Sequence, residues 1–216
     1  MSDENVFIIL YDLSDKKITE SFYEYSDIII KHWKFLKNLK SERNLIFAGT
    51  TVDSFYEFIV FKTSSKEEAE KLVKNDPFVY NRLLQVFLYN FRISLLTEEH
   101  VVEVLEEEFL DIESIYDEET EFYMGTITGR PTFINDMTEE EGKIMGVHCE
   151  YLKNKYDNRQ LILAGLILAE GQFGVSIFTA DNIEHAQDFV ENDPAVKSGV
   201  VKSGVHPFRI FLKGEK

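Results

Sequence analysis

The chain has one cysteine in 216 residues, Cys149. A disulfide within the molecule is excluded, and a reducing compartment, the cytoplasm, is the expected location. No apolar run reaches the roughly 18 residues that a bilayer-crossing helix needs. Met1 leads into Ser2-Asp3-Glu4-Asn5, which has neither the basic start nor the apolar middle of a secretory signal. Basic residues are scarce: 23 Lys and Arg face 39 Asp and Glu, a formal net charge of −16. Between Glu98 and Glu121 stand twelve acidic residues and no Lys or Arg, so much of the excess is a solvated acidic connector. Phosphate backbones and anionic lipids need a basic face, so neither nucleic acid nor membrane is an expected partner. Several motifs are also missing: the Gly-x-Gly-x-x-Gly turn, the phosphate loop, His-Glu-x-x-His, Cys-x-x-Cys and the EF-hand loop. No cofactor and no metal is therefore expected.

What is present is said twice. Glu67-Glu68-Ala69-Glu70-Lys71-Leu72-Val73-Lys74-Asn75-Asp76-Pro77 returns as Glu184-His185-Ala186-Gln187-Asp188-Phe189-Val190-Glu191-Asn192-Asp193-Pro194. His32 stands 17 residues before Gly49, and His148 stands 17 residues before Gly165. Phe91-Arg92-Ile93 and Phe208-Arg209-Ile210 follow the two Asp-Pro pairs at one distance. Three matches in the same order mark a tandem repeat. The division this suggests is a first repeat over 1–96, an acidic helical connector over 97–120 and a second repeat over 121–216.

Within each repeat the pattern predicts strand, helix, strand, strand, helix, strand. In the first, Val6–Asp12 is a strand, and Thr19–Leu39 carries Phe22, Ile29, His32, Trp33, Leu36 and Leu39 at helical spacing. Asn44–Thr50 and Phe55–Lys62 form a hairpin, and Ser65 with Glu68 has capping-box spacing for a helix that buries Ala69, Leu72 and Val73. Asp76-Pro77 ends that helix and Val86–Leu95 closes the unit. In the second, Phe122–Thr128, Arg159–Ala169, Phe173–Thr179 and Val200–Leu212 are strands. Thr138 with Glu141 starts one helix and Asp181 or Asn182 the other. Thr97–Ile112 is read as an amphipathic connecting helix. A β-α-β-β-α-β order is a ferredoxin-like unit, whose sheet keeps one apolar face uncovered. The fold class expected is α+β, with two ferredoxin-like repeats packed sheet-to-sheet as an intramolecular pseudo-dimer; further self-association of the chain is compatible with it.

His148-Cys149-Glu150-Tyr151-Leu152, Ala164-Gly165, Glu184-His185-Ala186, Asp193-Pro194 with Gly199, and Val205-His206-Pro207-Phe208 together resemble the YCII-related family of small proteins. His32-Trp33-Lys34-Phe35-Leu36, Ala48-Gly49, Glu68-Ala69 and Asp76-Pro77-Phe78-Val79 repeat the pattern less fully. The proline that follows Ala-Gly in the family is Thr50 and Leu166 here, Gly199 is matched by Arg82, and Pro207 by Asn90. The first repeat has drifted further. The resemblance implies a dimeric α+β barrel and an active-site His–Asp pair, which falls on His148 with Asp193 and on His32 with Asp76.

A carboxylate bonded to imidazole fixes its tautomer and prepares it for acid–base work. Against this stands the structural role: histidine filling a helix–sheet gap and aspartate capping a turn. Arg92 and Arg209 coincide between repeats and are candidates to clamp a substrate anion; Arg43 and Arg159 coincide as well, and a surface role competes for all of them. Cys149 is expected to be a small buried hydrophobe, because neighbours on a helix point about 100° apart and it cannot share a target with His148. The expected function is acid–base chemistry on a small anionic or aromatic molecule, as an isomerase, lyase or dehydrochlorinase-like enzyme. The competing expectation is a non-catalytic ligand-binding or protein-interaction module.

Overall fold

The computed structural model describes residues 5–13, 22–53, 56–97, 121–169 and 173–214. The elements are β1 (Asn5–Asp12), α1 (Phe22–Ser41), β2 (Leu45–Thr51), β3 (Tyr56–Thr63), α2 (Lys66–Lys74), α3 (Pro77–Tyr80) and β4 (Gln85–Leu96). They continue with β5 (Phe122–Thr128), α4 (Phe133–Asp136), α5 (Glu139–Asp157), β6 (Leu161–Leu168), β7 (Phe173–Thr179), α6 (Ile183–Glu191), α7 (Pro194–Lys197) and β8 (Lys202–Lys213). The expected order is there, with three short helices added, α3, α4 and α7. All of the connecting helix expected over Thr97–Ile112 beyond Thr97 itself, and the turn at 170–172, lie outside the described residues. No described helix is long and apolar enough to cross a membrane.

Strand pairing runs β1-β3-β2-β8-β5-β7-β6-β4 and returns to β1, the closed antiparallel barrel of the expected α+β class. The chain forms two compact units. One contains the residues up to Phe91 together with Arg209 onward; the other contains Arg92 and its neighbours together with the second repeat as far as Phe208. Each of the two long strands, β4 and β8, therefore changes unit partway along. In the first unit β1 pairs with β3 and β4, and its core gathers Phe7, Tyr11, Leu36, Ile59, Phe61 and Phe211. In the second, β5 pairs with β7 and β8 around Tyr123, Leu161, Ala164, Phe178 and Phe189. Both hairpins carry an irregularity at one matched place, between Leu45 and Phe47 and between Leu161 and Leu163. A bulge adds local twist, and its recurrence keeps both strands in the same register downstream.

Helix ends follow local chemistry. Thr138 and Glu141 form a full capping box at the start of α5. At α2 only half of it forms: the Ser65 hydroxyl accepts from the Glu68 amide, while the Glu68 carboxylate accepts from Ser64. Asn182, rather than Asp181, caps α6. The matched Arg43 and Arg159 prove to be helix terminators, with φ of 59° and 62°. Each is followed by an amide that reaches back to close the last turn, Asn44 to Leu39 and Gln160 to Lys155. Gly199 and its counterpart Arg82 occupy the same left-handed conformation after α7 and α3, with φ of 73° and 56°. For arginine that conformation carries steric strain of about 1–2 kcal/mol. Arg82→Gly is expected to stabilise the protein by about 0.5–1 kcal/mol once the extra freedom of the unfolded glycine is subtracted. A higher denaturant midpoint at constant slope would show it.

Candidate active site

The second Asp-Pro pair builds a rigid carboxylate. Pro194 cannot donate a hydrogen bond and occupies the first position of α7, where no partner is needed. Asp193 caps that one-turn helix, its Oδ1 accepting from the Ala195 amide at 2.9 Å. The other oxygen, Oδ2, lies 2.6 Å from Nδ1 of His148, which projects from the middle of α5. Both residues are buried. A carboxylate at Nδ1 places the proton there, so in the neutral ring Nε2 holds the free lone pair. Among the described residues Nε2 has no protein partner. The imidazole instead lines a cavity of about 350 Å³, at the lower end of the volumes that hold small ligands.

The cavity walls are mostly apolar, from Leu95, Ile127, Leu152, Val175 and Phe189, with small residues Gly125, Gly174 and Ser176 between them. A Cβ at Gly125 would stand 2.7 Å from the Ser176 Oγ, and one at Gly174 would stand 2.8 Å from the Ile127 Cγ1. Phe189 is held by stacking on Phe178 at 3.8 Å, and its carbonyl accepts from the Tyr151 hydroxyl at 2.7 Å. Burial, with the Asp193 charge adding to it, pushes the Tyr151 phenol up to about 12, so that hydroxyl remains a donor.

The first Asp-Pro pair makes the same turn. Asp76 caps α3 by accepting from the Phe78 amide at 2.8 Å, and both its oxygens lie 3.0 Å from Nδ1 of His32. Here the resemblance stops. Nε2 of His32 meets the Glu57 carboxylate at 2.7 Å. The Tyr11 hydroxyl donates to Asp76 at 2.6 Å, and the Phe78 ring stacks on the imidazole at 4.0 Å. Burial opposes the charge on His32, but Glu57 and then Asp76 overcome it and raise the imidazole to about 10. Burial and the Asp76 charge also raise Tyr11 well above its ordinary value. With both nitrogens engaged, this histidine is a buried imidazolium between two carboxylates.

Strand register explains the contrast. Glu57 faces Tyr11 on β1 and Thr50 on β2, as Gly174 faces Ile127 on β5 and Leu166 on β6. By the same pairing Ile9 corresponds to Gly125 and Ile59 to Ser176. The side chains that close the first site are thus absent at the matched positions of the second.

Each candidate residue has a definite place. His148 with Asp193 and His32 with Asp76 are brought together. Arg92, exposed on β4, lines the His148 cavity. Arg209 belongs to the other unit, the one that holds His32. Cys149 departs from expectation: it is exposed and lines the cavity beside His148. Glu57 and Tyr11 are residues that sequence reasoning missed. His185 pairs with Asp181 at the surface, and no described cluster of His, Cys, Asp and Glu is arranged to hold a metal.

Residues 121–209 match the model of the family described as the YCII-related domain. The match falls on the second repeat. No curated protein sequence matches the chain. Among solved structures, a candidate monooxygenase from Fusobacterium nucleatum aligns with a TM-score of 0.56 at 10% identity, covering 99% of this chain and 96% of that one. A candidate monooxygenase from Lactobacillus acidophilus gives 0.53 at 12% identity, covering 97% and 95%. A siroheme decarboxylase gives 0.53 at 11% identity, covering 99% and 74%. At such identities the likeness shows the fold, a dimeric α+β barrel, and does not select a chemistry. The YCII-related match covers the half that carries the open cavity.

The buried ion triad predicts a pH effect on stability. Below the ordinary histidine value of about 6.5 both folded and unfolded chains carry the proton, and the stabilisation is complete. Above it the unfolded chain releases the proton first, so the contribution falls until the folded value of about 10 is passed. Stability from chemical denaturation should therefore drop by a few kcal/mol between pH 7 and 10, and Glu57→Gln should flatten that slope. Glu57→Ala is expected to cost about 3–5 kcal/mol at pH 7, since it strands a buried charge.

Proposed function

We propose that the second repeat is the working half, binding a small molecule and exchanging a proton with it through Nε2 of His148. The observation that carries this reading is a buried imidazole whose Nδ1 is fixed by Asp193 while the ring lines a mostly apolar cavity. Asp193 acts as a positioning residue: it sets the tautomer and stabilises the imidazolium that forms when Nε2 takes a proton. Its own orientation comes from the α7 cap, so the geometry is set before any ligand arrives. Arg92 supplies positive charge in the cavity wall, which suits a ligand with an anionic group.

Isomerisation, lyase chemistry and elimination all need a proton taken from, or returned to, the bound molecule, and one His–Asp pair suffices for that step. Cys149, an exposed thiol in the same lining, is not needed for this step. The first repeat has its counterpart histidine locked between two carboxylates, which suits a structural role there.

The test is a turnover screen with a small-metabolite library, comparing wild type with His148→Ala and Asp193→Asn. Both variants are expected to lose activity by about 10²- to 10⁴-fold while retaining the wild-type circular dichroism spectrum. Turnover unchanged in both variants would sink the catalytic reading and leave a binding module.

A further inference from the structure

The first repeat shows what its histidine accepts. Glu57 begins on β3 at the position that corresponds to Gly174 on β7, and its carboxylate ends 2.7 Å from the Nε2 of His32. In the second repeat the same path starts from a glycine that lines the cavity, and it leads to the unpartnered Nε2 of His148. We infer that the His148 cavity takes a small carboxylate with an apolar body, whose acid oxygen meets Nε2 where Glu57 meets His32. Glu57 is in this sense a built-in copy of the ligand's polar end.

Two further observations agree, and general chemistry links them. The walls around the path are mostly apolar, and the cationic side chains in the lining are Arg92 and Lys153, beside His148 with its partner Asp193. A carboxylate that shares a proton with an imidazole out of water forms a charge-assisted hydrogen bond, stronger than a neutral one. A neutral amide of the same shape has no such bond to offer, and a site built around an acid rejects the analogue that lacks it. His32, raised by the same kind of neighbour, shows how strongly the pair holds its proton when buried.

This inference rests on the reading that Nε2 of His148 faces the bound molecule, but not on catalysis. It is tested by calorimetric titration of the full chain with two matched pairs, benzoate against benzamide and butyrate against butyramide. At least one acid should bind ten or more times tighter than its amide, and His148→Gln should abolish the preference. Gly174→Glu should weaken acid binding at least tenfold by placing a carboxylate of the chain's own on Nε2. A side chain at 174 meets the Ile127 Cγ1 at once, so Ile127→Ala/Gly174→Glu is a second variant with room for it. Equal affinity for acid and amide, or binding of neither member of either pair, overturns the inference. Loss of turnover in His148→Ala would then still uphold proton exchange, so the two readings fail separately.

Discussion

An aspartate followed by proline at the head of a one-turn helix is the constraint on which both sites depend. Proline removes the amide that would otherwise compete, and the next free amide binds one carboxylate oxygen. That bond leaves the remaining lone pairs aimed at the long helix, where a histidine stands. The cost of burying the carboxylate is met locally, by a backbone donor and an imidazole donor, which is how a buried acid avoids remaining unsatisfied. The competing roles for Asp76 and Asp193, turn cap and histidine partner, are therefore the same role. One oxygen or one lone pair serves the turn and another serves the ring.

From that shared start the halves diverge by what the sheet sends toward the ring. A tyrosine and a glutamate rise from β1 and β3 beneath His32, and Phe78 closes its face. Isoleucine and glycine take the matched places beneath His148. A buried group with every valence filled specifies geometry and resists change; one with a valence open to a cavity is available for exchange with a ligand. The chain keeps one of each. A few side chains, rather than a change of fold, separate a strut from a candidate site.

The pairings of His32 with Asp76 and of His148 with Asp193 were legible because each rests on a local signal, Asp-Pro and a helical histidine, repeated at a fixed offset. Element order was legible for the same reason, through alternation, caps and turn residues. Glu57 left no such trace: a lone glutamate among Phe55, Tyr56 and Phe58 on a strand reads as an outward polar residue. Only the register of β3 against β1 turns it inward to His32. The cavity was equally silent, since Gly125 and Gly174 open it by the side chains they omit. Cys149 was misjudged because helix spacing alone does not say how wide the covered stripe of α5 is. The exchange of strand ends was out of reach, being a long-range pairing choice that no local propensity encodes.

The exchange has a consequence for how the chain comes to be folded. The unit that holds His32 includes Arg209 and the residues after it, and Phe211 and Leu212 sit in its core. During synthesis the first repeat emerges well before those residues exist. It must wait, with the edge of β2 and part of its apolar core unpaired, until the residues from Arg209 onward have left the ribosome. The usual advantage of a two-unit protein, that the leading unit can fold while the trailing one is made, is given up here. The two units finish together.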